Sequence, residues 1–164
     1  MELWDVLDEN GNPTGRIHNR KDTLPEGEYH LVVEVAVINS DNKLLLMYRH
    51  PEKLHGDCWE ISGGSALSGE DSLTAAQREL SEETGINLPF EEFHFIRRKK
   101  CKTTFQDVYY ASADVPIEKI TFQEGETTGA MWVTKEEFIE IVESGKFCDH
   151  LKDRYYEDIL KLFR

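Results

Sequence analysis

The sequence predicts an α+β domain, a mixed β-sheet covered by a few helices. Three observations carry this. Strand-like segments dominate the first part of the chain, the strongest helical periodicity follows them, and helices are few. A length of 164 residues with 39% hydrophobic content suits one domain, 1–164, with a buried core. No repeat, low-complexity tract or Pro/Gly/Ser linker divides it.

The elements follow in order. Residues 2–7 and 15–18 read as two short strands around the turn Asp8-Glu-Asn-Gly-Asn-Pro, a β-hairpin extension within 1–30. Leu31 to Asn39 is rich in Val and Ile and reads as a buried strand. Ser40-Asp41-Asn42 is a turn, Lys43 to Arg49 the returning strand, and 50–58 a loop. Residues 70–84 form the best helix. Leu73, Ala76 and Leu80 give it an apolar face, and Gly85 suits a left-handed C-terminal position. Ser68 is the expected N-cap, with Asp71 in the capping-box place. Further strands are expected at 93–99, 105–113 and 130–133, and helices at 135–144 and 149–163. The last helix carries Leu151, Tyr155, Ile159, Leu160 and Phe163 as a packing stripe.

Charge and composition exclude several functions. A net charge of −13 repels nucleic-acid backbones and argues against a nucleic-acid polymer as partner. An anionic small substrate would need cations between itself and the protein. No apolar run reaches membrane-spanning length, since Leu31 to Ile38 is short and interrupted by Glu34. The N-terminus lacks the basic and apolar regions of a signal peptide. Cys58, Cys101 and Cys148 are odd in number and form no CxxC pair. That pattern argues against a disulfide framework or zinc site and for a reducing cytoplasm.

The segment with chemistry runs from Gly64 to Ile86. Glu79, Glu82 and Glu83 stand at i, i+3 and i+4, so their carboxylates share a helix face. Glu79 and Glu83 are a like-charge pair, which costs a helix roughly 0.2–0.5 kcal/mol, and Arg78 at i−4 to Glu82 offsets part of it. Taken alone, three glutamates describe a solvated helix face. Hard oxygen ligands on a rigid helix also suit Mg²⁺ or Mn²⁺, which share their shells with substrate phosphates.

The complete spacing decides between these readings. Gly64, Glu70, Arg78, Glu79, apolar Leu80, Glu82, Glu83, Gly85 and apolar Ile86 match every defined position of the Nudix box. Chance places such a pattern in fewer than roughly one window in ten million, so the chain resembles the Nudix hydrolase superfamily. The resemblance implies an α/β/α sandwich with a mixed central sheet and a loop–helix–loop catalytic motif at 64–86. It implies a metal site of Glu79, Glu82, Glu83 and the Gly64 carbonyl, with one glutamate assisting the attacking water. Arg78 would orient the glutamates, and Glu70 would support the site from the helix start. Glu126, before Trp132, resembles a family loop acid that adds a ligand or base, with Glu124 its rival and an ordinary loop acid the alternative. The implied reaction is hydrolysis of a phosphoanhydride bond in a small anionic diphosphate. By family analogy alone, a homodimer is expected.

Outside the box, Arg49 ends a strand facing the motif and is a candidate phosphate contact. Trp59 precedes the motif and is a candidate substrate contact or a core residue. Arg97-Arg-Lys-Lys-Cys-Lys102 either steers an anion or forms a solvated strand end.

The segment from Glu2 through His30 resembles the isopentenyl-diphosphate-isomerase-like branch of the superfamily. Isomerases of that branch carry a catalytic Cys where this chain has Ile61-Ser-Gly-Gly64, and a histidine where it has Thr23. Cys58 lies on the wrong side of Trp59, so His30 is left without its partners and hydrolysis is favoured. A second alternative is a nucleotide-binding sensor on the same scaffold, which the intact glutamates argue against.

Overall fold

A computed structural model describes residues 2–164. Strands β1 (Leu3–Leu7) and β2 (Pro13–Asn19) form a separate antiparallel hairpin. The main sheet contains β3 (His30–Ile38), β4 (Leu44–Arg49), β5 (Trp59–Glu60), β6 (Ser62–Ser65), β7 (Phe93–Lys100), β8 (Thr104–Ser112) and β9 (Thr127–Val133). Helix α1 (Ser72–Thr84) follows β6, while α2 (Lys135–Glu143) and α3 (Asp149–Leu160) follow β9. The backbone of the sheet runs β5-β4-β3-β8-β7, with β6 paired to β3 and β9 to β4. Strands β3 and β8 are parallel and every other pair is antiparallel, which makes the sheet mixed.

Alternation along the strands explains the sandwich. Val33, Val35, Val37, Leu45 and Met47 pack on one face with Ala76 and Leu80 of α1. Ala36, Leu44, Leu46 and Val108 point to the other face and meet Phe138 of α2 and Leu151, Tyr155 and Ile159 of α3. The period of two in the strands thus feeds two cores, and the expected stripe of α3 fills the second.

Two expectations are corrected. The first concerns the N-cap of α1, which is Asp71 rather than Ser68. Asp71 accepts the Thr74 N–H at 2.8 Å. The Ser68 hydroxyl instead donates to the Asp5 carboxylate at 2.6 Å and ties the hairpin to the helix approach. Gly85 takes the left-handed C-terminal position as expected, with φ 74°.

The second correction is a disulfide between Cys58 and Cys148, 90 residues apart with Cα atoms 5.2 Å apart. Backbone bonds splice these segments: Trp59 N–H donates to the Lys146 carbonyl and Cys148 N–H to the Trp59 carbonyl. That adjacency is long-range, so no Cys spacing reveals it, and the pairing removes the thiol argument for a reducing cytoplasm. Cys101 is free. No helix of the described residues is long and apolar enough to cross a membrane.

After the expected loop at 50–58, residues given no element in the sequence reading form β5 and β6. Their register places Gly63 opposite Glu34 and Gly64 opposite Val33.

Candidate active site

The catalytic motif and the sheet enclose a cleft of about 510 Å³. Its floor is β6 and the inner face of α1. An added Cβ on Gly64 would collide with the Glu79 carboxyl, and one on Gly63 with the Glu34 carboxyl and the Val33 carbonyl. The Gly63-Gly64 pair therefore lets two carboxylates lie directly on strand backbone. No other residue type permits that approach.

Each box side chain has a defined role in this geometry. Arg78 grips Glu70 with two bonds, Nε to Oε1 at 2.7 Å and Nη2 to Oε2 at 2.9 Å. It also donates to Glu79 at 2.9 Å, Glu82 at 3.2 Å and the Ser65 carbonyl at 3.0 Å. Its planar fork thus sets the spread of three carboxylates at once. Glu70 in turn accepts the Leu67 N–H at 2.9 Å, fixing the loop before α1. The hydrogen bond to Glu70 holds the Arg78 pKa above its ordinary value.

Glu83 is buried and accepts from the Ser62 hydroxyl at 2.6 Å and the Gly63 N–H at 3.0 Å. Burial pushes its carboxyl up to about 8; the Ser62 bond opposes this, and the Glu60 and Glu79 charges add to it. Burial also raises Glu79, against the pull of Arg78. Glu82 is the most exposed of the three, at the rim.

The opposite side was less visible in the sequence. Glu34, at the centre of β3, is buried in the cleft wall, and burial together with the Glu60 and Glu83 carboxylates raises it well above the usual carboxylate range. Glu60 on β5 accepts from Arg49 Nη1 at 3.2 and 3.3 Å. A register shift in the β4–β9 pairing falls between Tyr48 and Arg49, the place where Arg49 enters the cleft. Lys53 pairs with Glu126, so Glu126 lines the cleft beside it. His150 and Arg154, one turn apart on α3, complete this wall.

The structure therefore brings Gly64, Arg78, Glu79, Glu82, Glu83, Arg49 and Glu126 to one cleft. Glu70 supports it through Arg78, while Glu124 does not line it. Trp59 is not brought there either: on β5 it alternates with Glu60, so it points away and packs edge-on to Tyr48 at 4.8 Å. His30 is also away from the cleft, stacked on Trp4 with centroids 3.7 Å apart. In the basic run, Arg97 holds Asp158 and Arg98 holds Asp107, so only Lys102 reaches the cleft.

Sequence reasoning missed Glu34, Glu60, Lys53, His150 and Arg154, and named Lys102 only as the end of the basic run. Glu34 had a usable signal, since a lone carboxylate inside an apolar strand is costly unless it serves a site. The others come together only through tertiary folding.

Among the described residues, no three acidic, histidine or cysteine side chains are already drawn into an ion cage. The donor set nevertheless fits a hard divalent cation. Glu34, Glu60 and Glu83 are buried and Glu79 half-buried; the carboxyls of all four shift upward, and an ion of opposite charge would relieve that strain.

A profile of the NUDIX domain matches residues 28–151, most of the chain. The chain belongs to the Nudix family of hydrolases. This Nudix protein is 37% identical over 158 residues to an uncharacterized Nudix hydrolase of Listeria monocytogenes, covering 92% of this chain and 90% of the relative. It is 39% identical over 90 residues to an isopentenyl-diphosphate Delta-isomerase of Pectobacterium atrosepticum, covering 52% of this chain and 50% of that one. A Deinococcus radiodurans crystal structure shares its fold with a TM-score of 0.72 at 20% identity, covering 98% of both chains.

Proposed function

We propose that this Nudix protein hydrolyses a phosphoanhydride bond in a small, diphosphate-containing anionic substrate. One observation carries the reading: a complete box folds so that Gly64, Glu79 and Glu83 face Arg49 and Lys53 across one cleft.

Glu79, Glu82, Glu83 and the Gly64 carbonyl are the residues that would hold Mg²⁺ or Mn²⁺. Bound there, the ion supplies charge neutralisation for the diphosphate and acidifies the attacking water. Arg78 keeps Glu79 and Glu82 at fixed spacing, and Ser62 with the Gly63 N–H aims Glu83 into the floor. Arg49 and Lys53 meet phosphate oxygens from the opposite wall. The water oxygen forms a bond to one phosphorus, the bridging P–O bond breaks, and the water proton passes to a carboxylate of the cluster. Two phosphate-bearing fragments result, or a monophosphate and pyrophosphate from a triphosphate. Little covalent chemistry is asked of the protein, since positioning and electrostatics carry phosphoryl transfer.

The test is turnover of a phosphoanhydride panel with Mg²⁺ or Mn²⁺, against EDTA and the Glu83→Gln variant. The panel holds nucleoside triphosphates, ADP-ribose, dinucleotides, nucleotide sugars and isopentenyl diphosphate. Metal-dependent hydrolysis of one class, lost in the variant, is expected. Survival of turnover within a few-fold in Glu83→Gln overturns the assignment. Isomerised isopentenyl diphosphate would favour the isomerase reading, which the disulfide at Cys58 and the Thr at position 23 oppose.

A further inference from the structure

The cleft lining includes two cations that the hydrolytic reading does not use. Arg154 is half-buried on α3 and lines the cleft. Its i+4 neighbour Asp158 is the natural helical partner. Arg97 has taken that carboxylate, at 2.6 Å, and also donates to the Arg154 carbonyl. Arg154 is thereby left with no carboxylate in ion-pair contact among the described residues, and its guanidinium faces the cleft. Lys102 also lines the cleft, on the turn closed by Cys101 N–H to the Thr104 carbonyl at 2.8 Å. The neighbouring basic side chains are engaged elsewhere, Arg98 on Asp107 and Lys100 on the Glu9 carbonyl and the Tyr29 ring.

The fold thus places two cations with no ion-pair partner among the described residues in the lining of a carboxylate-rich cleft in a strongly acidic protein. Thr103, Gln106 and Gln123 line the same cleft, hydroxyl and amide groups suited to substrate hydroxyls. Among the described residues, no Phe, Tyr or Trp lines the cleft, and His150 is the one aromatic ring there.

We propose that Arg154 and Lys102 form a second anion subsite, binding a phosphate that the substrate carries beyond the cleaved bond, and that the substrate is a phosphorylated sugar or polyol diphosphate. This rests on the hydrolytic reading. A guanidinium binds phosphate oxygens in a planar, two-bond geometry that an ammonium does not reproduce. The subsite therefore fixes which end of the molecule faces the glutamates.

The test measures binding by calorimetry with Ca²⁺, which accepts the same oxygen ligands, alongside steady-state turnover with Mg²⁺. The probes are 5-phosphoribosyl 1-diphosphate, isopentenyl diphosphate, which lacks a second phosphate, and ADP-ribose, which carries a base. Arg154→Gln and Lys102→Gln should each weaken 5-phosphoribosyl 1-diphosphate about tenfold or more, the scale of one charged hydrogen bond, and raise KM rather than lower kcat. Isopentenyl diphosphate should change less than about twofold, and Arg154→Lys should recover part of the loss. Unchanged binding in both Gln variants overturns the subsite. Equal weakening of both diphosphates overturns it too, by placing Arg154 on the reacting diphosphate. Tighter binding of ADP-ribose than of the phosphorylated sugar overturns the substrate class. Retained, Arg154-dependent binding without turnover of any probe would sink the hydrolytic reading and leave the subsite standing. Should Arg154→Gln fail to fold, Lys102→Gln and Arg154→Lys decide the matter alone.

Discussion

The two walls of the cleft are built in opposite ways. One comes from a contiguous stretch, residues 62–83, in which strand β6 leads through a short loop into helix α1. The other is assembled from β3, the β4–β5 loop, the β7–β8 turn, the loop before β9 and the start of α3. The contiguous wall carries Glu79, Glu82 and Glu83 with their organising arginine, while the dispersed wall carries Glu34, Glu60 and Glu126 and most of the cations. The difference suggests a division of labour. Groups that must keep one spacing sit on one rigid helix, and groups that read a substrate sit on elements free to vary.

The contiguous wall should be the more fragile. Arg78→Ala removes the cation that three carboxylates share in a largely buried setting, and is expected to cost about 3 kcal/mol or more in urea denaturation and to abolish turnover. Arg78→Lys should recover stability better than activity, because the two-bond grip on Glu70 is lost. If Arg78→Ala were as stable and active as the parent, the contiguous wall would not depend on its arginine.

The dispersed wall has its own staple. Cys58 follows the loop that bears Lys53, and Cys148 precedes His150 and Arg154. Reduction, or Cys148→Ser, should lower stability by about 2–4 kcal/mol, since the bond closes a loop of 90 residues. Thermal unfolding with and without reductant checks this, and identical curves would show that the two segments hold together without it.

Helix capping gives a smaller contrast. Asp71→Ala should cost about 1 kcal/mol and Ser68→Ala less, because Asp71 caps the helix and Ser68 only ties it to the hairpin. The reverse ranking would restore Ser68 as the cap.

The hairpin end of the molecule adds a slope with pH. Burial, with Arg20 and His18 nearby, lowers His30 to about 4, below the usual value of 6.5. The folded state therefore binds fewer protons than the unfolded state between those values. The His30 contribution to stability is complete above pH 6.5 and is lost as pH falls toward about 4. Replacing His30 with Phe, which keeps a ring on Trp4, should flatten that slope by at most about 1.4 kcal/mol per pH unit. Denaturation midpoints from pH 7 to 5 measure it.

The same contrast explains what the sequence made legible. The mixed sheet, the order of helices and the carboxylate set of α1 depend on local period and spacing, and all could be read. Residues such as Glu60 and Arg154 meet the box only because β5 joins β4 and α3 packs over β8, where the Tyr155 hydroxyl bonds Gln106. The Cys58–Cys148 pairing was hidden for the same reason. Trp59 stayed between a substrate contact and a core residue because its two-residue strand, whose alternation decides the side it faces, is too short to read in the sequence.

The central claim is that the glutamates of the contiguous wall hold a divalent cation and that Arg154 takes no part in holding it. Mn²⁺ titration by calorimetry, in the parent, Glu79→Gln, Glu83→Gln and Arg154→Gln, tests it most directly. Mn²⁺ affinity should fall sharply in both glutamate variants and stay at the parent value in Arg154→Gln. Undiminished Mn²⁺ affinity in Glu79→Gln and Glu83→Gln would contradict the account.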